Sequence, residues 1–266
     1  ENDATSAMNA IMDMTNVLRL SEKRLFGSES KCNCKLTQLQ VLGLLMLFPC
    51  FMIRNAYNYG KSSLSGLFDC KKDVFYRFIS NESYDWRKIL ATVTLQLWNK
   101  IQKSRTSEST GPVCLMVDDT DYPKRGIQTE LIGKIYSHVT HSMMLGFKGL
   151  FIGVTDGMSQ MLLDFALVGE AGKKGNHGLR QKQLDARFSK EHDGDSHTAR
   201  RIKEYDQSKI TLMIEMIRRI IKRKIHFDYV LADSWFACAE VIRFITSRHV
   251  RCHYLGMIKM GRTKYI

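Results

Sequence analysis

The pattern of apolar and polar residues divides the chain into a helical first part and a mixed second part. Residues 35–103 carry apolar side chains at helical spacing and include the apolar run VLGLLMLFPCFMI at 41–53. Thr37 is placed to cap a helix that leads into this run, and Pro49 should end it. The run is shorter than the ~20 residues of a membrane span, so it predicts a buried helix. Residues 1–34 are more polar and predict a loosely held helix or a tail that orders on binding.

Beyond residue 111 the pattern becomes one of strands and helices. The small polar stretch 104–111 predicts a linker. Five successive apolar residues, Val113–Val117, are typical of a central strand buried on both faces. Residues 147–169 predict a hairpin that turns at Asp156 and Gly157, and residues 170–206 predict a long exposed loop or a segment that orders on a partner.

The last part of the chain predicts four further elements. They are an amphipathic helix over 207–224 with Ile210, Met213, Ile214, Ile217, Ile220 and Ile221 on its apolar side, a strand over 229–232, a helix over 235–248 capped by Ser234, and a strand over 251–259. The final strand–helix–strand unit should pair in parallel. This order predicts an α/β fold over residues 112–266, a mixed sheet flanked by helices, preceded by an all-α N-terminal region.

The net charge of the chain indicates the class of its binding partner. The 266 residues have a net charge of +13 and a pI near 9.4, which favours a polyanionic partner such as nucleic acid. Within 35–103, basic and aromatic residues interleave, which predicts a helical DNA-binding region or, alternatively, an ordinary solvated basic surface; these residues are Lys71, Lys72, Tyr76, Arg77, Trp86, Arg87 and Lys88. The seven cysteines include no C-x-x-C pair and are interpreted as reduced thiols rather than zinc ligands.

Acidic residues stand where two predicted strands end. Asp118, Asp119 and Asp121 follow the first strand, and Asp233 follows the strand over 229–232. If these strands are parallel neighbours, Asp118 and Asp233 project from one edge of the sheet. Converging carboxylates need a cation, and oxygen ligands suit Mg²⁺ or Mn²⁺. Two such ions can clamp the attacking and leaving oxygens of a phosphodiester. The alternative is that these aspartates are turn or cap residues.

The segments MVDDTDYPKRG, YSHVTHSMMLGFKGLFIGVTDG and DYVLADSWF resemble DDE transposases of bacterial insertion sequences, in the insertion-sequence-four group related to the Tn five enzyme. The resemblance extends upstream through the helical region. It implies a ribonuclease-H-like core, Mg²⁺ (or Mn²⁺) ions, and cut-and-paste cleavage and strand transfer of double-stranded DNA. It further implies a homodimer on DNA, no membrane partner, and a location in the bacterial cytoplasm at the nucleoid.

The resemblance assigns roles to particular residues. Asp118 matches the first catalytic and metal-binding aspartate because Thr120 follows at the expected distance, and Asp119 is the competing assignment. Asp233 matches the second aspartate. The third ligand of these transposases is a glutamate in a Y-x-x-R-x-x-x-E-x-x-x-x-x-x-K run, which the sequence lacks, and Glu240 lies too early to replace it. The sequence is therefore interpreted as a C-terminally truncated transposase that is inactive alone.

Other side chains are assigned to DNA or to structure. Lys124 and Arg125 follow the acidic cluster and are expected to hold a scissile phosphate, with Lys148 along the same DNA path or simply on the surface. His138 and His141 are interpreted as structural or phosphate-contacting. Two other functions stay open, a non-catalytic DNA-binding protein derived from a transposase and an RNA-cutting nuclease with the same core.

Overall fold

The computed structural model of the protein describes residues 2–105, 111–172 and 174–258. The chain forms two compact units, Glu1–Lys100 and Ile101–Ile266. Most of the predicted linker, 106–110, lies outside the described residues. No helix in the described ranges is long and apolar enough to cross a membrane.

The first unit is helical, as predicted. Its elements are α1 (Asn2–Val17), α2 (Glu22–Phe26), α3 (Gln38–Leu47), two 3₁₀ turns (Ala56–Lys61 and Ser63–Gly66), α4 (Lys72–Ile79) and α5 (Trp86–Ser104), whose last residues belong to the second unit. The Thr37 hydroxyl accepts from the Gln40 N–H at 3.2 Å, and the Gln40 side chain accepts from the Thr37 N–H at 2.8 Å. This capping box starts α3, and the helix ends two residues before Pro49, so both predictions for this helix are confirmed.

Residues 1–34 are not a loosely held tail. They form α1 and α2, and they add buried apolar side chains to the core of the first unit, namely Ala4, Met8, Leu18, Leu20, Leu25 and Phe26. The same core contains the stacked and edge-on rings of Phe48, Tyr59 and Phe75, with centroids 4.8–6.2 Å apart. The sequence did not predict this packing because α1 has many polar residues among its apolar ones. Whether such a helix is buried depends on the other elements that it packs against.

The second unit contains a six-stranded mixed sheet. Its elements are β1 (Cys114–Pro123), β2 (Gly133–Ser137), β3 (Ser142–Thr155), β4 (Gln160–Val168), α6 (Gln181–Asp185), α7 (His197–Glu204), α8 (Lys209–Lys222), β5 (Tyr229–Ala232), α9 (Ala239–Ile245) and β6 (His253–Leu255). The sheet order is β2-β3-β1-β5-β6, with β4 also paired to β3. β1 is antiparallel to β3 and parallel to β5, and β5 is parallel to β6. This is the predicted ribonuclease-H-like mixed sheet flanked by helices.

The sheet has two different faces. One face carries Leu115, Val117 and Ile152, all fully or almost fully buried, and is called here the α8 face because α8 packs against β3 and β4 on it. The opposite face carries Met116, Asp118 and Leu231 and is called the Asp118 face; these side chains are half-buried or exposed. Successive residues of a strand alternate between faces, so every residue of β1 belongs to one or the other.

The predicted hairpin forms, with a turn at 156–159. Burial raises the pKa of Asp156, but hydrogen bonds from the Ser159 and Met158 N–H groups and the Gln102 amide, with the charge of Arg105, outweigh it and lower the pKa. Arg105 forms an ion pair with Asp156, and Gln102 Nε2 donates to the same carboxylate oxygen at 2.6 Å. The turn is therefore a fixed part of the second unit.

Three predictions for the second unit need correction. The segment 170–206 is not simply an exposed loop, because it contains α6 and α7 and buries Leu179, Ala199 and Tyr205. β2 was not predicted. The helix expected over 235–248 begins only at Ala239, because the Asp233 carboxylate accepts the Trp235 N–H at 2.8 Å and holds a turn there. Ser234 consequently caps no helix.

Candidate active site

Asp118 and Asp233 occupy equivalent positions on neighbouring parallel strands. The last registered pair between β1 and β5 is Val117 with Ala232, and each aspartate is the next residue of its chain. Both side chains belong to the Asp118 face, and both are exposed. They line one open pocket of about 640 Å³ with Met116, Leu231 and the Leu255–Met257 segment. The structure thus brings together the two aspartates that the sequence singled out.

Each of the two carboxylates is oriented by one backbone N–H group. Asp118 Oδ1 accepts from the Asp119 N–H at 2.8 Å, and Asp233 Oδ1 accepts from the Trp235 N–H at 2.8 Å. Within the described residues, neither carboxylate forms an ion pair, and Oδ2 of each accepts no hydrogen bond. One oxygen of each aspartate is therefore held in place while the other stays available to a ligand.

The wall of the pocket beside Asp233 is built by the end of β6. The Tyr254 hydroxyl donates to the Asp233 carbonyl oxygen at 3.2 Å and fixes the strand end. Burial raises the pKa of the Tyr254 phenol, and the negative charge of Asp233 raises it further. Gly256 follows, and a Cβ on it would lie 2.4 Å from the Ala232 carbonyl oxygen, so only glycine allows this close approach.

Asp119 does not join this pair. It belongs to the α8 face, where its Oδ2 lies 2.6 Å from the ammonium of Lys209. The two consecutive aspartates point to opposite sides of β1 because the strand continues through them to Pro123. The sequence placed the strand end at Val117, and this expectation was wrong: pairing with β3 continues over the whole of Cys114–Pro123. The geometry favours Asp118 over Asp119 as the metal ligand.

Because β1 is longer than predicted, the basic residues that follow it lie farther from Asp118 than expected. Lys124 and Arg125 are exposed but follow the far end of β1, six and seven residues beyond Asp118. At ~3.3 Å per residue they lie roughly 20 Å away, too far to hold a phosphate that is also held by Asp118. Lys148 is only 4% exposed and donates to Asp121 Oδ1 at 2.5 Å. It is neither a surface charge nor placed to contact DNA.

The donor set of the pocket suits a hard divalent cation but is small. Asp118 and Asp233 offer carboxylate oxygens, the donors that Mg²⁺ and Mn²⁺ prefer. Among the residues that the structure describes, no group of three or more His, Cys, Asp and Glu side chains is placed to hold a metal ion. Glu240 lies in the first turn of α9 and does not line the pocket.

His138 packs edge-on against Tyr136, with ring centroids 5.1 Å apart.

The first unit has a separate basic surface. Of the residues predicted to contact DNA there, Lys71, Lys72, Tyr76, Arg77 and Lys88 are exposed, whereas Arg87 is 8% exposed and Trp86 packs against the core. The Lys72 ammonium lies 4.9 Å from the ring centroid of Tyr57, which is 61% exposed. α4 thus buries Phe75 and Phe78 on one side and exposes Lys72, Tyr76 and Arg77.

Comparison with known proteins identifies the family of the chain. A family model described as DDE superfamily endonuclease matches residues 64–266, which include Asp118 and Asp233. The chain belongs to the DDE superfamily endonucleases. No curated protein sequence matches the chain. Among solved structures, it is similar to the piggyBac transposase in a synaptic complex with hairpin DNA, at 11% identity and a TM-score of 0.39. That match covers 97% of this chain and 49% of the transposase chain.

Membership in this family confirms that the chain is of the DDE type, as the motifs indicated. The insertion-sequence-four group, a bacterial source and truncation of the chain remain predictions. Nothing in the sequence pattern indicated Lys209, because it lies in an ordinary amphipathic helix ninety positions from Asp119. The contribution of Leu255–Met257 was equally unforeseen, because it depends on where β6 pairs.

Proposed function

We propose that this DDE superfamily endonuclease is a DNA transposase that cleaves a DNA strand and transfers the freed 3′ end, with Asp118 and Asp233 as catalytic metal ligands. The observation that supports it is their placement: two exposed carboxylates, each directly after the last paired residues of the parallel strands β1 and β5, on one face and in one pocket. Aspartates that serve only as turn residues would not need to converge on the same face of neighbouring strands.

The chemistry follows from the donor set. A bound Mg²⁺ or Mn²⁺ ion would supply Lewis acidity, and a pair of them could stabilise both the attacking and the leaving oxygen of a phosphodiester. Asp118 and Asp233 would hold the cation through their Oδ2 atoms, since Oδ1 of each is engaged with a backbone N–H. The half-buried apolar residues Met116 and Leu231 would limit water on the sheet side of the pocket.

DNA would be held by surfaces away from the pocket. Lys124 and Arg125 would contact the backbone of the duplex roughly 20 Å from Asp118, which corresponds to about six base pairs at 3.4 Å each. The exposed Lys72, Tyr76 and Arg77 of α4 in the first unit would contact a phosphate backbone by themselves. Binding as a homodimer in the bacterial nucleoid belongs to the same proposal.

Metal binding and cleavage test the catalytic part. Titration with Mn²⁺, followed by electron paramagnetic resonance, should show binding that is lost in Asp118→Asn and in Asp233→Asn. Asp195→Asn, which removes an exposed aspartate from another part of the second unit, should bind as the wild type does. Any nicking of a supercoiled plasmid should disappear in the same two variants. Equal Mn²⁺ binding by the wild type and both pocket variants would contradict the proposal.

Salt dependence tests the DNA-binding part. The affinity for a fluorescent 30-base-pair duplex, measured by anisotropy, should fall steeply between low and moderate salt because bound cations release counterions. Replacing Lys124 and Arg125 together by alanine should reduce the slope of log affinity against log salt by about 1 to 2. Binding of RNA with equal affinity would instead favour the nuclease alternative, and binding that is flat with salt would mean that the basic surface is only solvated.

A further inference from the structure

Lys209 contacts the two residues whose N–H groups orient Asp118 and Asp233. The backbone N–H that orients Asp118 belongs to Asp119, and the one that orients Asp233 belongs to Trp235. The side chains of these two orienting residues meet at one cation. Lys209 Nζ lies 2.6 Å from Asp119 Oδ2 and 4.5 Å from the centroid of the Trp235 ring.

The two contacts leave this lysine little freedom. The Lys209 side chain is 20% exposed, and that of Asp119 is 24% exposed, so the ion pair is shielded from much of the solvent. Trp235 is 42% exposed but is supported from another side by Phe236, which is completely buried, with ring centroids 5.0 Å apart. A cation over an indole ring contributes an attraction that grows as both partners are desolvated.

The position of this lysine is not explained by the stability of its own helix. Lys209 is the first residue of α8, where the positive end of the helix dipole disfavours a cation. Ser208 already caps the helix, since its hydroxyl accepts the Thr211 N–H at 3.0 Å. A residue that breaks a local rule while joining two functional neighbours is a candidate for a functional role.

We propose that Lys209 is a positioning residue for the metal site, an inference that rests on the proposed function of Asp118 and Asp233. Its ammonium fixes Asp119 and Trp235, and through their N–H groups it holds both ligand carboxylates in the orientation that leaves Oδ2 available. It also pairs with the Asp119 carboxylate, which the alternation of β1 places on the α8 face, and so leaves Asp118 as the ligand on β1.

Mn²⁺ affinity without DNA provides the first test. Lys209→Met should bind Mn²⁺ about tenfold more weakly, the lower end of the effect of removing an outer-shell partner. Lys209→Arg should stay within about threefold of the wild type, because a guanidinium can pair with Asp119 and stack on Trp235. Lys222→Met, which removes an exposed lysine at the other end of α8, is the matched control and should leave the affinity unchanged. Circular dichroism melts would verify that each variant folds.

A second readout follows Trp235 itself. In protein labelled with 5-fluorotryptophan, the ¹⁹F resonance that vanishes in Trp235→Phe should shift in Lys209→Met and stay in place in Lys222→Met. Folded Lys209→Met with wild-type Mn²⁺ affinity, beside Asp118→Asn and Asp233→Asn variants that have lost the ion, overturns the inference and leaves the proposed function standing. A wild type whose Mn²⁺ binding does not depend on Asp118 overturns the proposed function, and the role of Lys209 at the metal with it.

Discussion

The two faces of the sheet carry aspartates in different settings. On the α8 face, Asp119, Asp121 and Asp164 each have a cationic partner, at 2.6, 2.5 and 2.7 Å respectively. On the Asp118 face, Asp118 and Asp233 have backbone N–H donors and, among the described residues, no ion pair. Asp118, Asp119 and Asp121 all lie in β1, so the local sequence alone does not separate the two settings.

This difference between the two faces indicates which carboxylates stabilise the fold. A buried carboxylate must be paired, because desolvation of an unpaired charge costs several kcal/mol. Asp164 is completely buried and pairs with Arg219 of α8. An exposed carboxylate such as Asp118 has no such requirement, so its position beside Asp233 calls for another explanation, which the proposed metal site supplies.

The largest expected effect tests the ion pair beneath α8. Arg219→Met would leave the buried Asp164 carboxylate without its arginine, and the free energy of unfolding should fall by roughly 3–5 kcal/mol. Urea denaturation measures it, with Lys222→Met as a control for losing a cation from the same helix. A loss below about 1 kcal/mol would show that the pair is screened by solvent and that the faces differ less than the structure indicates.

Two consecutive residues of β1 compare the faces directly. Leu115 is completely buried on the α8 face, and Leu115→Ala should cost about 2–5 kcal/mol of stability. Met116 is only partly buried on the Asp118 face, and Met116→Ala should cost less, about 1 kcal/mol, because part of its side chain already contacts water. Equal losses in thermal or urea unfolding would mean that the Asp118 face is covered in solution.

Lowering the pH should gradually reduce the stability that Asp121 contributes on the α8 face, by less than the substitutions above. Burial tends to raise the pKa of Asp121, but hydrogen bonds from Lys148 and Ser137 and the Lys148 charge outweigh it, so the pKa is lowered. The stability that this carboxylate contributes is present above its unfolded pKa of about 3.9 and is lost as pH falls through the lowered folded pKa. The Tm of Asp121→Asn should therefore depend less on pH below about 4 than that of the wild type. Parallel Tm curves for the two proteins would contradict this assignment.

The smallest expected effect concerns the adjacent aspartates. Asp118→Asn should change the free energy of unfolding by no more than about 0.5 kcal/mol, because the side chain is exposed and forms no ion pair with any residue that the structure describes. Asp119→Asn should cost about 1 kcal/mol through the weakened contact with Lys209. Chemical denaturation of both variants side by side checks the order. A reversed order would mean that the two carboxylates exchange roles in solution.

Particular elements show how far the sequence could be interpreted. The Thr37 cap, the hairpin around Asp156 and the helix over 207–224 were predicted because each depends on residues close together in the chain. β2 was missed because it is five residues long and is stabilised by its register with β3, not by its own apolar pattern. The true end of β1 was missed for a related reason: three aspartates look like a turn, yet backbone pairing with β3 carries the strand through them.

The sequence by itself determined that this chain is a basic α/β protein with aspartates following two apolar strands, because apolar periodicity and residue type are local properties. Only the tertiary structure decided which aspartates meet. The parallel register of β1 and β5 puts Asp118 beside Asp233, and the alternation of the strand sends Asp119 to Lys209 on the other face. The burial of Lys148 was decided in the same way. Register, alternation and burial depend on partners distant in the chain, and these partners set the surroundings of each charge.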